Sequence, residues 1–387
     1  MKKIFIFLCF FVVLVLSLSL VEPLRVIDSL DEQFLTNRQE LESANKSHVF
    51  GRIVSAKLKD KTNKVDNQGE KKGEVVFKLF GIIPIKRLSA TIVDDEEYYV
   101  GGVPIGIVIN SDGAIVLSDE NEVFKEGDII TKLNGEDFES LDEMSNQVQK
   151  SGDDVEIEFI RRNKPLKTLI KTKPCENGKK LGLWVKDDVS GIGTLTFINK
   201  KTKRYGALGH PILENNSGNL IPVESGKIYK CNLIGINKGK RNEPGELRCV
   251  FSQAEDFKGD ISSNSKAGLN GTLLSTSGLV DENKTAVLGG RLGVKMGKAK
   301  IVSAVSGIPE EYDIEIIKAN YQKNASDKSL VFRVTDKRLL ALTGGIVQGM
   351  SGSPIIQDGK IIGAVTHVFV SDPSKGYGIY VDWMLQK

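Results

Sequence analysis

The sequence predicts a mainly β chain of several units behind one apolar N-terminal segment. Thirty-nine glycines and few helical patterns lean toward strands and turns. Short apolar runs, alternating or continuous, recur between Gly, Asn and Asp turn signals. A length of 387 residues suits two or three domains rather than one. Composition is otherwise ordinary for a globular chain. With 53 basic against 50 acidic residues the net charge is only +3, so no nucleic-acid partner is implied.

Lys2 and Lys3 precede an uncharged run from Ile4 to Val21. That length lies between a signal-peptide core and a membrane span. No A-x-A cleavage site follows, and positive charge sits before the run. Residues 1–21 therefore read as a membrane anchor or signal segment, with a retained transmembrane helix favoured and the bulk of the chain extracytoplasmic. Residues 22–90 read as a flexible juxtamembrane linker. Lys57 to Gly73 is polar and Lys-rich without apolar period, and such a segment could also touch anionic lipid.

The next unit covers residues 91–174. Ile105–Ile109 and Ala114–Ser118 flank Asp112-Gly113, a hairpin signal. The run from Lys125 to Gly135 is a strand ending in an Asn-Gly turn. Ser140 with Glu143 starts a helix whose Leu141, Met144 and Val148 share one face. Asp154–Arg161 and Leu166–Thr172 add two strands. The pattern E-G-D-I-I-x-x-L-N-G resembles that of PDZ domains. By that resemblance a peptide adds as a strand along Pro104, Ile105, Gly106 and Ile107, beside the helix from Ser140. The sequence departs from the family where Asp119–Phe124 replaces a small-residue helix.

Residues 181–387 suit one all-β domain. Gly191–Ile198 alternates as a strand, Asn199–Lys203 turns, and Arg204–Ile212 returns with His210 between Gly209 and Pro211. A general base needs such a backbone-fixed place beside a cleft, although taken alone the residue reads more readily as a structural histidine. Ser329–Val334 is a strand, and Asp336 follows it, either as a helix cap or as a carboxylate for a histidine. Cys175, Cys231 and Cys249 match no metal spacing and allow one bridge or three thiols. His48, His210 and His367 are too scattered for a metal motif, so no metal and no cofactor are expected.

The last stretch, Gly344 to Val370, has two apolar strand runs, Pro354–Ile356 and Lys360–Val370, joined at Gln357-Asp358-Gly359. Before them Gly349-Met350-Ser351-Gly352-Ser353-Pro354 brackets a serine with glycines. Such a loop can expose one hydroxyl and aim backbone N–H groups at one point. G-x-S-G-x-P before a strand pair resembles the nucleophile loop of chymotrypsin-like serine proteases, whose order is His, Asp, Ser. That implies a chymotrypsin-like double β-barrel protease domain.

Taken together, GIGTLTF…YGALGH, VTDKRLL and GGIVQGMSGSPIIQDGKIIGAVTHVF resemble the stage IV sporulation protein B peptidases. The resemblance implies a serine endopeptidase with His210 as general base, Asp336 orienting it and Ser351 as nucleophile. It implies an oxyanion hole from the N–H groups of Gly349 and Ser351. It makes Thr366, His367 and Val368 the strand that pairs with substrate. The implied partners are the chain itself, cleaved in trans, the regulatory subunit (stage IV sporulation protein FA) of an intramembrane metalloprotease, and the membrane through the N-terminal segment. The implied outcome is sigma-K activation, from the space between forespore and mother-cell membranes. A broad-specificity PDZ-containing quality-control protease and a non-catalytic PDZ scaffold are the alternatives. The first usually carries its PDZ unit after the protease, and the second has no need of filled triad positions.

Overall fold

The computed structural model describes residues 20–21, 23–30, 34–36, 38–46, 53–59, 71–92, 96–176, 178–214 and 218–385. Nearly all of the Ile4–Val21 run lies outside the described residues. Among those described, no helix is long and apolar enough to cross a membrane.

Residues 22–90 are not the linker expected. Their described part is a small folded unit, with a four-stranded sheet in the order Phe34–Thr36, Ile83–Ile92, Lys71–Leu79, Val54–Lys59. The helix Arg38–Lys46 and helical residues 23–29 complete it. Val26, Ile27, Leu30, Phe34, Leu41, Val75, Phe77 and Leu88 form its core. Part of the polar Lys57–Gly73 stretch falls outside the described residues, and it separates two strands that pair from Val54↔Leu79 to Lys59↔Glu74. The polar stretch is a connection between paired strands, and the apolar residues for a core stand on either side of it.

This unit docks on the rest of the chain. Leu292 joins its core, and the buried Glu40 carboxylate accepts the Gly290 N–H at 2.9 Å. Burial pushes the Glu40 carboxyl up to about 7, against the pull of Lys360 3.6 Å away.

Two closed barrels follow. In the first, Pro104–Asp119 pairs with Leu183–Asn199, which pairs with Arg204–Ala207, then Gly268–Leu273, Phe257–Ser265 and Val223–Lys230. Val223–Lys230 returns to pair with the starting strand and shuts the ring. Its core is Ile105, Ile107, Ile109, Leu195, Tyr205, Ile228 and Leu269. In the second, Lys360–Val368, Lys375–Tyr380, Leu330–Val334, Glu310–Ala319, Gly297–Ser303 and Pro354–Gln357 close in the same way. Closure pairs each stave with a neighbour on both sides over at least part of its length. The double barrel expected for the protease domain is therefore present, but its first strand lies well upstream of residue 181.

That difference comes from one strand. The hairpin expected at Asp112-Gly113 does not form, and Pro104–Asp119 runs unbroken for 16 residues. Its first half is a barrel stave against residues 188–194, and its second half, Ile115–Asp119, pairs with residues 183–186. Gly113 sits at φ 133, where a Cβ would meet the Ile130 carbonyl at 2.4 Å. A close approach of backbone, not a turn, requires that glycine.

The second half leads into the unit likened to PDZ domains, which is inserted into the first barrel. Ile129–Leu133, Asp154–Arg161, Lys164–Lys171 and the helix Leu141–Lys150 build it. Ser140 caps that helix by accepting the Glu143 N–H, and Met144 and Val148 face the core as the spacing predicts. Asn134 and Gly135 take φ 51 and 82, the expected tight turn.

Candidate active site

The site lies where the two barrels meet, and small residues allow the meeting. The serine loop is held to the first barrel by two threonines. Thr194 Oγ1 donates to the Gly349 carbonyl at 2.6 Å, and Thr196 Oγ1 donates to the Gly352 carbonyl at 2.8 Å. The Thr194 N–H also donates to the Ser351 carbonyl at 2.8 Å. Gly352 has φ 99, and a Cβ there would lie 1.9 Å from the Thr194 carbonyl oxygen and 2.6 Å from the Leu208 nitrogen. No side chain fits, so glycine is needed for the loop to touch the barrel.

The histidine loop closes on the second barrel in the same manner. Leu208 and Gly209 both have positive φ, 67 and 72. A Cβ on Gly209 would stand 2.9 Å from Ile379 and 3.1 Å from Thr366. His210 follows directly, partly buried, with its ring centroid 5.0 Å from that of His367. His210 Nδ1 lies 3.0 Å from the Pro211 carbonyl. A carbonyl can only accept, so Nδ1 carries the proton and Nε2 keeps the lone pair a general base needs. Burial holds the His210 pKa below its usual 6.5, only partly opposed by the Pro211 hydrogen bond and the Asp327 charge. The imidazole is therefore neutral near pH 7.

Ser351 is accessible in part, and its hydroxyl donates to the Thr366 carbonyl at 2.7 Å. Among the described residues it makes no hydrogen bond to His210. The two are related through a shared strand, with Ser351 bonded to the Thr366 carbonyl and the His210 ring beside that of His367. Ser353 is fully buried, which leaves Ser351 as the reachable hydroxyl of the loop. The N–H groups of Gly349 and Ser351 donate to no backbone carbonyl among the described residues. Gly349 has φ 92, and the neighbouring Met350 side chain is buried in the second barrel. Two amides in such a loop are available to an anionic oxygen.

Thr366, His367 and Val368 lie on the strand Lys360–Val368, which pairs on one side with Lys375–Tyr380, His367 opposite Tyr377 and Val368 opposite Gly376, with a register irregularity at Thr366. On the other side the strand's pairing with Pro354–Gln357 ends at Ala364, short of these three residues. That margin of the strand faces the serine loop, through the Gly352 N–H on the Val365 carbonyl.

Two expectations meet a different arrangement. Asp336 is not brought to His210. It caps the helix Lys337–Thr343, accepting the Arg338 N–H at 2.8 Å and the Asp313 N–H at 3.3 Å, and it pairs with Arg338 Nη2 at 2.8 Å. Arg338 above all holds its carboxyl down to about 2. The carboxylate facing the histidines is Asp327, which precedes the strand Leu330–Val334. Its Oδ2 lies 3.8 Å from His367 Nδ1, and its backbone carbonyl accepts the Thr366 hydroxyl. Burial, then the charge of His210, hold His367 below its usual pKa.

The peptide groove expected along Pro104, Ile105, Gly106 and Ile107 is not open. Those residues pair with Gly191–Thr194 on one side and, from Ile105, with Ile228–Lys230 on the other. Ile105 and Ile107 are buried, and a Cβ on Gly106 would strike the Phe251 ring at 2.3 Å. A strand already hydrogen-bonded on both edges has nothing to offer an added one. Among the described residues no group of three or more His, Cys, Asp or Glu could hold a metal ion, and Cys175, Cys231 and Cys249 are free thiols.

Comparison with known proteins bears on this site. No curated protein matches the chain. Among solved structures, the chain is similar to the PDZ domain of an SdrC-like protein from Listeria monocytogenes, at 26% identity over 20% of this chain and 93% of that one, with a TM-score of 0.19. It is also similar to the corresponding domain from Listeria innocua, at 28% identity over 19% and 93%, with a TM-score of 0.18. The family model described as SpoIVB peptidase S55 matches residues 177–385. That span exceeds half of the 387 residues and contains both His210 and Ser351. The chain belongs to the SpoIVB peptidase family and is a serine endopeptidase.

Proposed function

We propose that Ser351 attacks the scissile carbonyl, with His210 Nε2 taking the hydroxyl proton and later delivering it to the leaving amine. The observation that supports this most directly is the His210 ring itself. Its Nδ1 proton is engaged by the Pro211 carbonyl and its Nε2 lone pair is left for the serine. Rotation of Ser351 about its Cα–Cβ bond moves the hydroxyl from Thr366 toward that nitrogen, as substrate occupies the crevice. The amides of Gly349 and Ser351 then receive the oxyanion, each worth about 3 kcal/mol of barrier lowering. The free margin of Thr366–Val368 receives the substrate backbone as an added strand.

For the carboxylate, family resemblance favours Asp336 and the geometry favours Asp327. Asp327 faces the histidine pair and stabilises the imidazolium that forms on His210, acting across His367. The biological reading follows the family. The enzyme acts outside the cytoplasm during sporulation, cleaves itself, and cleaves the regulatory subunit of an intramembrane metalloprotease to start sigma-K activation.

A fluorophosphonate probe tests the chemistry. Ser351 should be labelled, and labelling should vanish in His210→Ala and persist in Ser353→Ala. Labelling that maps to Ser353, or that survives loss of His210, would end this mechanism.

A further inference from the structure

We propose that the hairpin tip Phe80–Ile85 inserts into an anionic bilayer surface. This inference is independent of the peptidase reading. Phe80, Ile82, Ile83 and Ile85 are 54, 77, 54 and 38% exposed, and they lie within six residues at the turn joining the strands Lys71–Leu79 and Ile83–Ile92 and at the start of the second strand. Several large apolar side chains exposed together at one end of a hairpin mark a contact surface.

Backbone geometry supports this. Phe80 has φ 51, a left-handed conformation that a bulky residue adopts only at a cost. No internal packing requires it, since the ring is more than half exposed. The turn is nevertheless held, by the Phe80 N–H on the Ile53 carbonyl at 2.6 Å and the Ile82 N–H on the Leu79 carbonyl at 3.1 Å.

Charge identifies the partner. From Val75 to Val93 the chain has no acidic residue, and Lys78, Lys86 and Arg87 stand just behind the tip. Lys86 is committed to the carbonyls of Ile27 and Leu30, and Arg87 approaches Glu74 at 3.9 Å. Lys78, opposite Pro84 in the ladder, is placed to meet an anionic headgroup while the isoleucines enter the acyl boundary. A protein partner would need a fitted socket for these side chains. A bilayer accepts them without one.

The full chain carrying Ile82→Trp, reconstituted in vesicles of brominated phosphatidylcholine and phosphatidylglycerol, tests the proposal. Quenching by bromine acts only at close range, so a tip hovering above the membrane stays bright. The added tryptophan should be quenched at least about twofold more than native Trp184 and Trp383 are in the unsubstituted chain. Adding Lys78→Glu should cut that difference by about half, with the melting temperature by circular dichroism unchanged. Equal quenching with and without Ile82→Trp would overturn the proposal. So would emission that shifts with protein concentration but not with lipid, which would identify a second copy as the partner.

Discussion

The strand Leu330–Val334 has an aspartate near each end, and the two face different surroundings. Asp327, before the strand, sits among His367, His210 and the Thr366 hydroxyl. Asp336, after it, is taken up by a helix N-terminus and Arg338. Four steps of strand already separate their neighbours Leu330 and Val334 by about 13 Å. Both carboxylates therefore cannot serve one histidine. The lesson is local: an aspartate two residues before an arginine and at the start of a helix finds its partners at once.

Variants at the two ends test this contrast. The largest expected effect is Asp327→Asn, a loss in kcat/KM on the order of 10²-fold if its charge stabilises the His210 imidazolium. Asp336→Asn should leave kcat/KM within about threefold of wild type. The reverse ranking would return the orienting role to Asp336.

Next comes pH. Burial holds His210 below 6.5, so the acid limb of kcat/KM should fall below pH 6.5. Asp327 raises that pKa, so Asp327→Asn should move the limb to still lower pH. A limb at or above 6.5, or one that moves up, would contradict the geometry.

The smallest effect concerns stability. Asp336→Ala removes a helix cap and should cost about 1 kcal/mol, a melting shift of about 2–4 °C in a domain of this size. The Asp336 carboxyl is depressed in the folded state, so its contribution is present above the unfolded value of 3.8 and is lost as pH falls toward about 2. Wild type and Asp336→Ala should therefore converge in melting temperature below pH 2. A constant gap across that range would mean the carboxylate's charge is not what stabilises the cap.

Elsewhere the molecule shows why some readings from sequence held and others did not. The Ser140 cap, the Asn134-Gly135 turn, the strand before Asp336 and the Gly-bracketed serine loop are all short-range features, written in the residues that form them. His367 was legible as a strand residue beside the crevice but not as the ring facing His210. Asp327 bore no motif at all, since S-D-K-S before a strand reads as a solvated turn. The hairpin at Asp112-Gly113 failed because Gly113 serves a close approach of the Ile130 carbonyl.

Sequence by itself therefore determined the serine, the histidine, the β-rich class and the glycines without which neither loop could form. Tertiary structure alone decided which edges stay open, where the first barrel begins and which carboxylate meets the histidines. The reason is physical. Turns and caps are settled between residues a few positions apart, whereas Thr194 holds Gly349 across 155 positions, and only the closed barrels bring such residues within reach.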